Sequence, residues 1–240
     1  MRMLLAFLCF FSFSCTIHPP KLKAESTPIA SSSVITAAKI ERLKYATARF
    51  EWHDARGSKV AHGTAFCIAR DEKEQISLWM TCKHVAEVDI QVINCVPILH
   101  YKNKTGIDIF CKVRGVVLSE KYDVAIFTAD FAPDFSLQIA SEKELENQKL
   151  ADILIASGCP QDIYPPSVIV GYYIGLTDDG SVHINLGAWY GNSGSAVVDL
   201  DTMNVIGVIH MFNCLPPESD NLKAVSAVQI REFLKEALTK

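Results

Sequence analysis

A serine set between small residues is the part of this sequence that most directly offers chemistry. The stretch Gly191–Ala196 reads G-N-S-G-S-A and places Ser193 just before the apolar pair Val197 and Val198. A serine hydroxyl is a poor nucleophile unless a base removes its proton and donors stabilise the oxyanion that it creates. Glycines permit a tight turn whose N–H groups can converge, and we predict Gly191 and Ser193 as those donors. The alternative is an ordinary glycine-rich turn.

A base and an acid stand upstream, beside strand-like apolar runs. His84 follows the run L-W-M-T, and Asp123 opens the run D-V-A-I-F. A histidine that a carboxylate holds in the correct tautomer can deprotonate a serine, and the chain order histidine, aspartate, serine is one of those known for such triads. Asp108, in I-D-I-F, is the alternative acid because its setting is comparable.

Three motifs, T-C-K-H-V-A-E, Y-D-V-A-I-F and G-N-S-G-S-A-V, occur in this order and together resemble the chymotrypsin-like serine proteases, most closely the glutamyl endopeptidase branch. The likeness runs from Gly63 to the C-terminus. It implies an all-β fold of two six-stranded antiparallel β-barrels with a C-terminal α-helix, and peptide-bond hydrolysis without a cofactor. It also implies His84, Asp123 and Ser193 as the catalytic residues, because the family's aspartate precedes Val-Ala-Ile as Asp123 does.

Five residues near the serine are candidates for substrate binding: Gly187, Trp189, Tyr190, His210 and Phe212. Gly187 stands where trypsin-like members carry an acid that selects lysine or arginine, so the resemblance predicts no such preference. Trp189 and Tyr190 would either line the substrate cleft or have only a packing role in the protein. In glutamyl endopeptidases a histidine in a G-I-H segment binds the acidic side chain of the substrate. Here one extra residue precedes His210, and because side chains alternate along a strand, both a pocket role and a structural role remain open.

Short apolar runs separated by turns must position these residues, and such spacing is typical of a β-barrel or a β-sandwich. Capping-box patterns at Ser141 with Glu144 and at Ser226 with Gln229 predict a short helix and a closing helix. The predicted division is a signal peptide over 1–14, a tether over 15–44, a first barrel with His84 and Asp123 over 45–130, a connector over 131–150, a second barrel with Ser193 over 151–226, and a C-terminal helix over 227–240. The site would then lie between the barrels.

The N-terminus predicts export from the cytoplasm. Arg2 precedes the apolar run M-L-L-A-F-L-C-F-F, which has the length of a signal-peptide core rather than of a membrane anchor. Small residues at Ser12 and Ser14 then offer a cleavage site before Cys15, which suggests a lipoprotein with Cys15 as its lipidated first residue. Ordinary cleavage at the same bond is the alternative. The expected location is secreted, periplasmic or lipid-anchored, with membrane contact only through a lipid at Cys15.

Composition narrows the choice of partners. The chain has 240 residues, 49% of them hydrophobic, which is ample for a packed core, and a formal net charge of −4. No basic cluster appears, so a nucleic-acid partner is not expected. No C-x-x-C pair occurs and no two histidines have ligand spacing, so no metal site is predicted. A protein or peptide substrate is the expected partner.

Two cysteines could form a disulfide. Cys95 and Cys111 lie in the runs 89–99 and 107–118, which a turn joins. If that hairpin turns about Asn103 and Lys104, the two thiols face each other and could bond in an oxidising compartment. Free thiols are the alternative.

The sequence leaves a second function open. A non-catalytic module on the same fold could bind a peptide or an envelope partner. The presence of all three triad residue types favours the peptidase.

Overall fold

The computed structural model of the protein describes residues 34–87, 95–210 and 221–239. The predicted signal peptide, Cys15 and Phe212 lie outside these ranges. Among the described residues, the helices are α1 (Ala37–Lys44), α2 (Lys83–Ala86), α3 (Glu142–Glu146) and α4 (Ala227–Thr239). The strands are β1 (Thr47–His53), β2 (Lys59–Asp71), β3 (Ile76–Thr81), β4 (Val96–Lys102), β5 (Asp108–Lys112), β6 (Arg114–Leu118), β7 (Ala125–Ala129), β8 (Ile153–Gly158), β9 (Ser167–Leu176), β10 (Val182–Leu186), β11 (Ala196–Asp199), β12 (Val205–His210) and β13 (Asn221–Ser226).

The first β unit is a seven-stranded sheet in the order β5-β4-β1-β2-β3-β7-β6. Its two edge strands, β5 and β6, are consecutive along the chain with only Val113 between them. The sheet must therefore curve until its edges meet, and the backbone rather than a hydrogen-bonded ladder joins them. The sequence predicted six strands here because 107–118 reads as one run. Gly115, at φ +57°, lies where the β6–β7 register shifts, and such a bulge turns a strand out of its ladder.

The hairpin of Cys95 and Cys111 turns two residues later than predicted. Its loop spans 103–107, because the Asn103 side-chain oxygen accepts hydrogen bonds from the backbone N–H groups of Thr105 (3.1 Å) and Ile107 (2.8 Å). With this loop, Cys111 pairs with Leu99 across β4 and β5. Cys95 and Cys111 are both free thiols, so the predicted disulfide is not formed.

The second β unit is a closed six-stranded barrel in the order β10-β13-β12-β11-β8-β9. The connector from the first unit bonds to both units. Leu137 N–H donates to Cys67 O of β2, and Ala140 N–H donates to Val205 O of β12, each at 2.9 Å. The predicted short helix is present as α3, with both hydrogen bonds of the capping box between Ser141 and Glu144. This prediction is confirmed.

Both ends of the described chain pack onto the β units. The closing helix α4 has the predicted cap, in which Ser226 N–H donates to Gln229 Oε1 (2.9 Å), and it buries Ile230 and Phe233 as its apolar face predicts. At the other end, α1 buries Leu43 completely. The last residues of the predicted 15–44 tether are therefore folded. None of the helices in the described ranges combines the length and the hydropathy that crossing a bilayer requires.

Candidate active site

His84 and Asp123 meet at one end of the first sheet. The antiparallel register pairs Thr81 of β3 with Ala125 of β7, so the residues after β3 and those before β7 lie at the same edge. His84 stands on α2, directly after β3. Its ring Nδ1 lies 2.6 Å from Asp123 Oδ2, and its backbone N–H donates to Asp123 Oδ1 at 2.9 Å. Two hydrogen bonds hold the carboxylate against this one residue and fix the orientation of its imidazole ring.

The setting keeps the Asp123 carboxyl ionised although it is mostly buried. Its side chain is 14% exposed, whereas the His84 side chain is 41% exposed. Burial alone would raise the pKa of Asp123, but the hydrogen bonds from the His84 ring and backbone outweigh burial and hold that pKa below its ordinary value. An ionised carboxylate beside an accessible imidazole can orient the ring and stabilise its protonated form.

The backbone of Ser193 lies against the residues that flank His84. Ser193 O accepts a hydrogen bond from Thr64 N–H at 2.8 Å. A methyl group on the neighbouring Gly63 would come within 3.2 Å of Ser193 O and 2.6 Å of Val85 Cγ1. On the other side, a methyl group on Gly194 would overlap Thr64 O and Thr81 Oγ1. The serine loop can approach β2 and β3 this closely because Gly63 and Gly194 have no side chain.

The loop that carries Ser193 turns at two glycines and is held by hydrogen bonds of its own backbone. Gly191 and Gly194 have φ values of +96° and +89°, which glycine adopts without strain. Within this loop the N–H groups of Asn192, Gly194 and Ser195 donate to backbone carbonyls. In the described part of the chain, the N–H groups of Gly191 and Ser193 have no such acceptor. An oxyanion hole requires N–H donors that no internal acceptor occupies.

Thr64 is a site residue that sequence reasoning missed. Its hydroxyl donates to Gly191 O (2.7 Å) and accepts from Cys159 N–H (3.0 Å), while its backbone carbonyl accepts from Thr81 Oγ1 (2.6 Å). One threonine of β2 thus ties the serine loop to both β units. The short motif G-T-A-F-C has no histidine or carboxylate, and the role of Thr64 comes from its contacts with distant residues, which the sequence does not show.

The candidate substrate residues separate into two groups. Gly187 is exposed with open space where a side chain would stand, and Trp189 and Tyr190 are 60% and 71% exposed. These aromatic rings flank the serine loop on its solvent side. His210 ends β12, and its side chain is half-buried, with both ring nitrogens covered.

Asp108, the alternative acid, lies elsewhere in the first sheet. Its carboxylate contacts His100 Nε2 at 3.0 Å and Lys102 Nζ at 3.4 Å, so Asp123 is the carboxylate that reaches His84.

The donor atoms of Cys82, His84 and Asp123 lie within 4.8 Å of one another, a spacing that could suit a metal. Burial raises the pKa of the Cys82 thiol well above its ordinary value, and the thiol donates to Ile209 O (2.9 Å). A protonated thiol is a poor metal ligand.

A buried carboxylate on the outer face of the first sheet is surrounded by an arginine and two histidines. Glu51, on β1 and 2% exposed, bonds to the Arg49 guanidinium and lies 2.6 Å from His53 Nε2 and 3.5 Å from His100 Nδ1. Tyr164 of the second unit covers this cluster, with its ring 4.1 Å from that of His100 and 5.0 Å from the Arg49 guanidinium carbon. We call Arg49, Glu51, His53 and His100 the Glu51 cluster.

His62 connects the Glu51 cluster to the loop that carries Ser193. His62 of β2 is the cross-strand partner of Glu51. A methyl group on Gly191 would come within 2.8 Å of His62 Nε2. The charged face of the first sheet and the loop of Ser193 are therefore joined through one histidine.

Comparison with known proteins confirms the fold. The chain is similar to the serine endoprotease from Yersinia pestis, with a TM-score of 0.65 and 14% sequence identity over 86% of this chain and 68% of that one. It is also similar to Deg5, with a TM-score of 0.66 and 13% identity over 84% of this chain and 92% of that one. No curated protein has a significantly similar sequence. Identities this low show the chymotrypsin-like fold alone.

The family follows from the sequence itself. Residues 63–208 match the family model of the trypsin-like peptidase domain. That range is more than half of the chain and includes His84, Asp123 and Ser193. The chain belongs to the trypsin-like serine peptidases.

Proposed function

We propose that this protein is an endopeptidase in which Ser193 is the nucleophile, His84 the general base and Asp123 the acid that orients it. The observation that carries the proposal is the pair of hydrogen bonds that Asp123 accepts from His84, at 2.6 and 2.9 Å. The contacts of Ser193 O with Thr64 and of Gly63 with Val85 support it, because they hold the serine beside the residues that flank His84.

The chemistry proceeds in two half-reactions. Ser193 Oγ attacks the peptide carbonyl while His84 accepts its proton, and the N–H groups of Gly191 and Ser193 donate to the oxyanion. His84 then passes the proton to the leaving amine, which leaves an acyl-enzyme. Water attacks the ester in the same way, with His84 again as the base. Asp123 stays ionised throughout and stabilises the imidazolium.

A fluorophosphonate probe tests the nucleophile. We expect the folded protein to react covalently with the probe, and peptide mapping to locate the adduct on Ser193. Ser193→Ala should abolish labelling. The matched control is Ser195→Ala, because Ser195 lies in the same loop but is fully buried, and no described residue bonds its hydroxyl. This control should label as the unsubstituted protein does.

The same experiment separates the peptidase from a binding module. Folded protein that does not label would favour the module, and labelling that survives Ser193→Ala would remove Ser193 as the nucleophile. Peptide libraries with every residue type before the cut would then define the cleavage preference. The exposed Trp189 and Tyr190 favour substrates with apolar residues near the cleaved bond, since large aromatic surfaces gain most from apolar contact.

We further propose that the protein acts outside the cytoplasm and carries a lipid at Cys15. The short apolar run after Arg2 and the small residues before Cys15 support this. Cells that express the full chain should incorporate labelled fatty acid into it, and Cys15→Ala should abolish incorporation. Cys9→Ala is the control, because it keeps the run apolar and should retain the label. Cleavage before residue 15 without fatty acid would instead establish an ordinary secreted protein.

A further inference from the structure

The loop between β6 and β7 carries Asp123 and is closed by Ser119. The hydroxyl oxygen of Ser119 accepts hydrogen bonds from the backbone N–H groups of Lys121 (3.3 Å) and Tyr122 (3.1 Å). The N–H group of Ser119 donates to Val124 O at 3.0 Å. Both Ser119 and Val124 are buried. The backbone on either side of Asp123 is therefore held within the loop.

Two side chains of this loop bond to the closing helix α4, which follows β13 of the second barrel. The Tyr122 hydroxyl donates to Glu232 Oε2 at 2.5 Å, and Lys121 Nζ donates to Glu232 Oε1 at 2.6 Å. One carboxylate thus bonds both of the residues that precede Asp123. Lys121 Nζ also donates to Glu236 Oε1 at 3.0 Å, one helical turn further along α4.

The hydrogen bond from Tyr122 is the stronger of these ties. The Tyr122 ring is partly buried and packs against the hydrophobic core, whereas the side chains of Lys121 and Glu236 are 53% and 45% exposed. Exposed ion pairs contribute little, because water screens them and two long side chains must be ordered. A hydrogen bond from a hydroxyl to a carboxylate is charge-assisted and is roughly twice as strong as a neutral one.

Both partners of this hydrogen bond keep the protonation state that it requires. The bond to Glu232, and after it burial, raises the pKa of the Tyr122 hydroxyl, so this group stays a donor. The bonds from Lys121 and Tyr122 lower the pKa of Glu232, so its carboxylate stays an ionised acceptor. The bond is therefore present throughout the neutral range of pH.

The helix that carries Glu232 is itself anchored. It buries Ile230 and Phe233, and the Arg231 guanidinium donates to two backbone carbonyls of the connector, at 2.6 and 2.7 Å. The Glu232 carboxylate consequently has a fixed position against which the loop of Asp123 can be held.

We propose that Tyr122 and Glu232 are positioning residues of the active site. Their hydrogen bond fixes the loop so that the Asp123 carboxylate stays within hydrogen-bond distance of His84. Because Tyr122 directly precedes Asp123 in the chain, movement of the backbone at Tyr122 would displace that carboxylate. The proposal rests on the proposed catalytic role of His84 and Asp123. It gives α4, which follows the barrel that carries Ser193, the role of holding the acid of the other β unit in place.

Tyr122→Phe removes one hydroxyl and tests the bond. We expect kcat for a fluorogenic peptide to fall by about tenfold, the effect of losing one charge-assisted hydrogen bond, with KM nearly unchanged. Glu232→Ala should have a similar effect. Glu232→Gln should restore kcat to within about threefold, because an amide oxygen still accepts from the Tyr122 hydroxyl. The double variant Tyr122→Phe with Glu232→Ala should be no slower than either single variant, since both residues act through one bond.

A spectroscopic measurement separates positioning from a general loss of structure. The proton between His84 Nδ1 and Asp123 Oδ2 lies in a hydrogen bond of 2.6 Å and should give a low-field proton NMR resonance. We expect this resonance to broaden or move in Tyr122→Phe and to be retained in Glu232→Gln. The matched control is Glu236→Gln, because Glu236 lies one turn along α4 and bonds Lys121 but not Tyr122. It should retain the resonance and keep kcat within about twofold.

Either an unchanged kcat or an unchanged resonance in Tyr122→Phe would overturn the proposal. An equal loss in Glu236→Gln would also overturn it, since the exposed ion pair would then account for the effect. A KM that varies with the residue before the cut would make Tyr122 a substrate-binding residue instead. The resonance reports on His84 and Asp123 whether or not Ser193 reacts. A normal resonance in unsubstituted protein that a fluorophosphonate does not label would therefore contradict the proposed function and not the role of Tyr122.

Discussion

His84→Ala is expected to lower kcat/KM for a good peptide substrate by about five to six orders of magnitude, the loss seen when a triad base is removed. Both the ring and the backbone N–H of His84 bond to Asp123, and its neighbour Val85 lies against Gly63, which adjoins Ser193 O. Without its imidazole, Ser193 has no proton acceptor, and alkoxide formation at neutral pH is negligible. Steady-state kinetics with a fluorogenic peptide measures the loss.

Two comparisons make this prediction specific. Lys83→Ala changes the adjacent residue of α2 and should stay within about twofold of the unsubstituted rate. The double variant His84→Ala with Ser193→Ala should be little slower than either single variant, because residues that act as a unit lose their effect together. A loss below about tenfold for His84→Ala, or additive losses in the double variant, would remove His84 from the mechanism.

The sequence predicted the stretches that form the site because each carries its chemistry locally. His84 and Asp123 each stand at the end of an apolar run, and antiparallel pairing of β3 with β7 brings those ends together. The glycines around Ser193 predict a tight turn, and both Gly191 and Gly194 adopt a positive φ in the structure. Residue type and position at the end of a strand are readable without knowing which strands pair, so the sequence was enough to select these residues, although only the pairing of β3 with β7 shows that they meet.

The orientation of His210 depends on such a register and could not be predicted. The pairing of β11 with β12 matches Val197 with Gly207 but Val198 with Val205, so Ile206 is an extra residue on β12. A bulge of this kind reverses which side the following residues face. Counting residues in the G-V-I-H segment alone therefore does not decide which side of β12 His210 faces. The same limit applied to Cys111, whose partner was decided by the side chain of Asn103 in the loop.

The Glu51 cluster was missed because one of its members, His100, lies on another strand and because the second unit covers it. Arg49, Glu51 and His53 alternate along β1, which was a visible signal of one polar face. His100 joins them only through the pairing of β1 with β4. A polar stripe on a strand ordinarily faces water, and here Tyr164 of the second unit covers it instead. Packing between the two β units turned an apparent surface into a buried network.

Glu51→Gln is expected to lower the free energy of unfolding by about 3 to 5 kcal/mol, the cost of leaving a buried charge network without one partner. Glu51 is 2% exposed, and its carboxylate is the common partner of Arg49, His53 and His100. A neutral amide would leave the Arg49 guanidinium without its counter-charge. Urea unfolding at pH 7 measures the difference. Glu72→Gln is the matched control, because Glu72 pairs with Arg70 at 68% exposure and should change stability by less than about 0.5 kcal/mol.

The pH dependence of this difference follows from the same contacts. Burial alone would raise the pKa of Glu51, but the bonds from His100, His53 and Arg49 lower it to about 2 from the ordinary 4.5. A carboxylate with a depressed pKa stabilises the fold fully above its unfolded value and loses that contribution as pH falls toward the folded value. The gap between the unsubstituted protein and Glu51→Gln should therefore be constant above about pH 5 and shrink between pH 4.5 and 2. A gap that widens on acidification would show that Glu51 is protonated in the native fold and that the cluster is held together in another way.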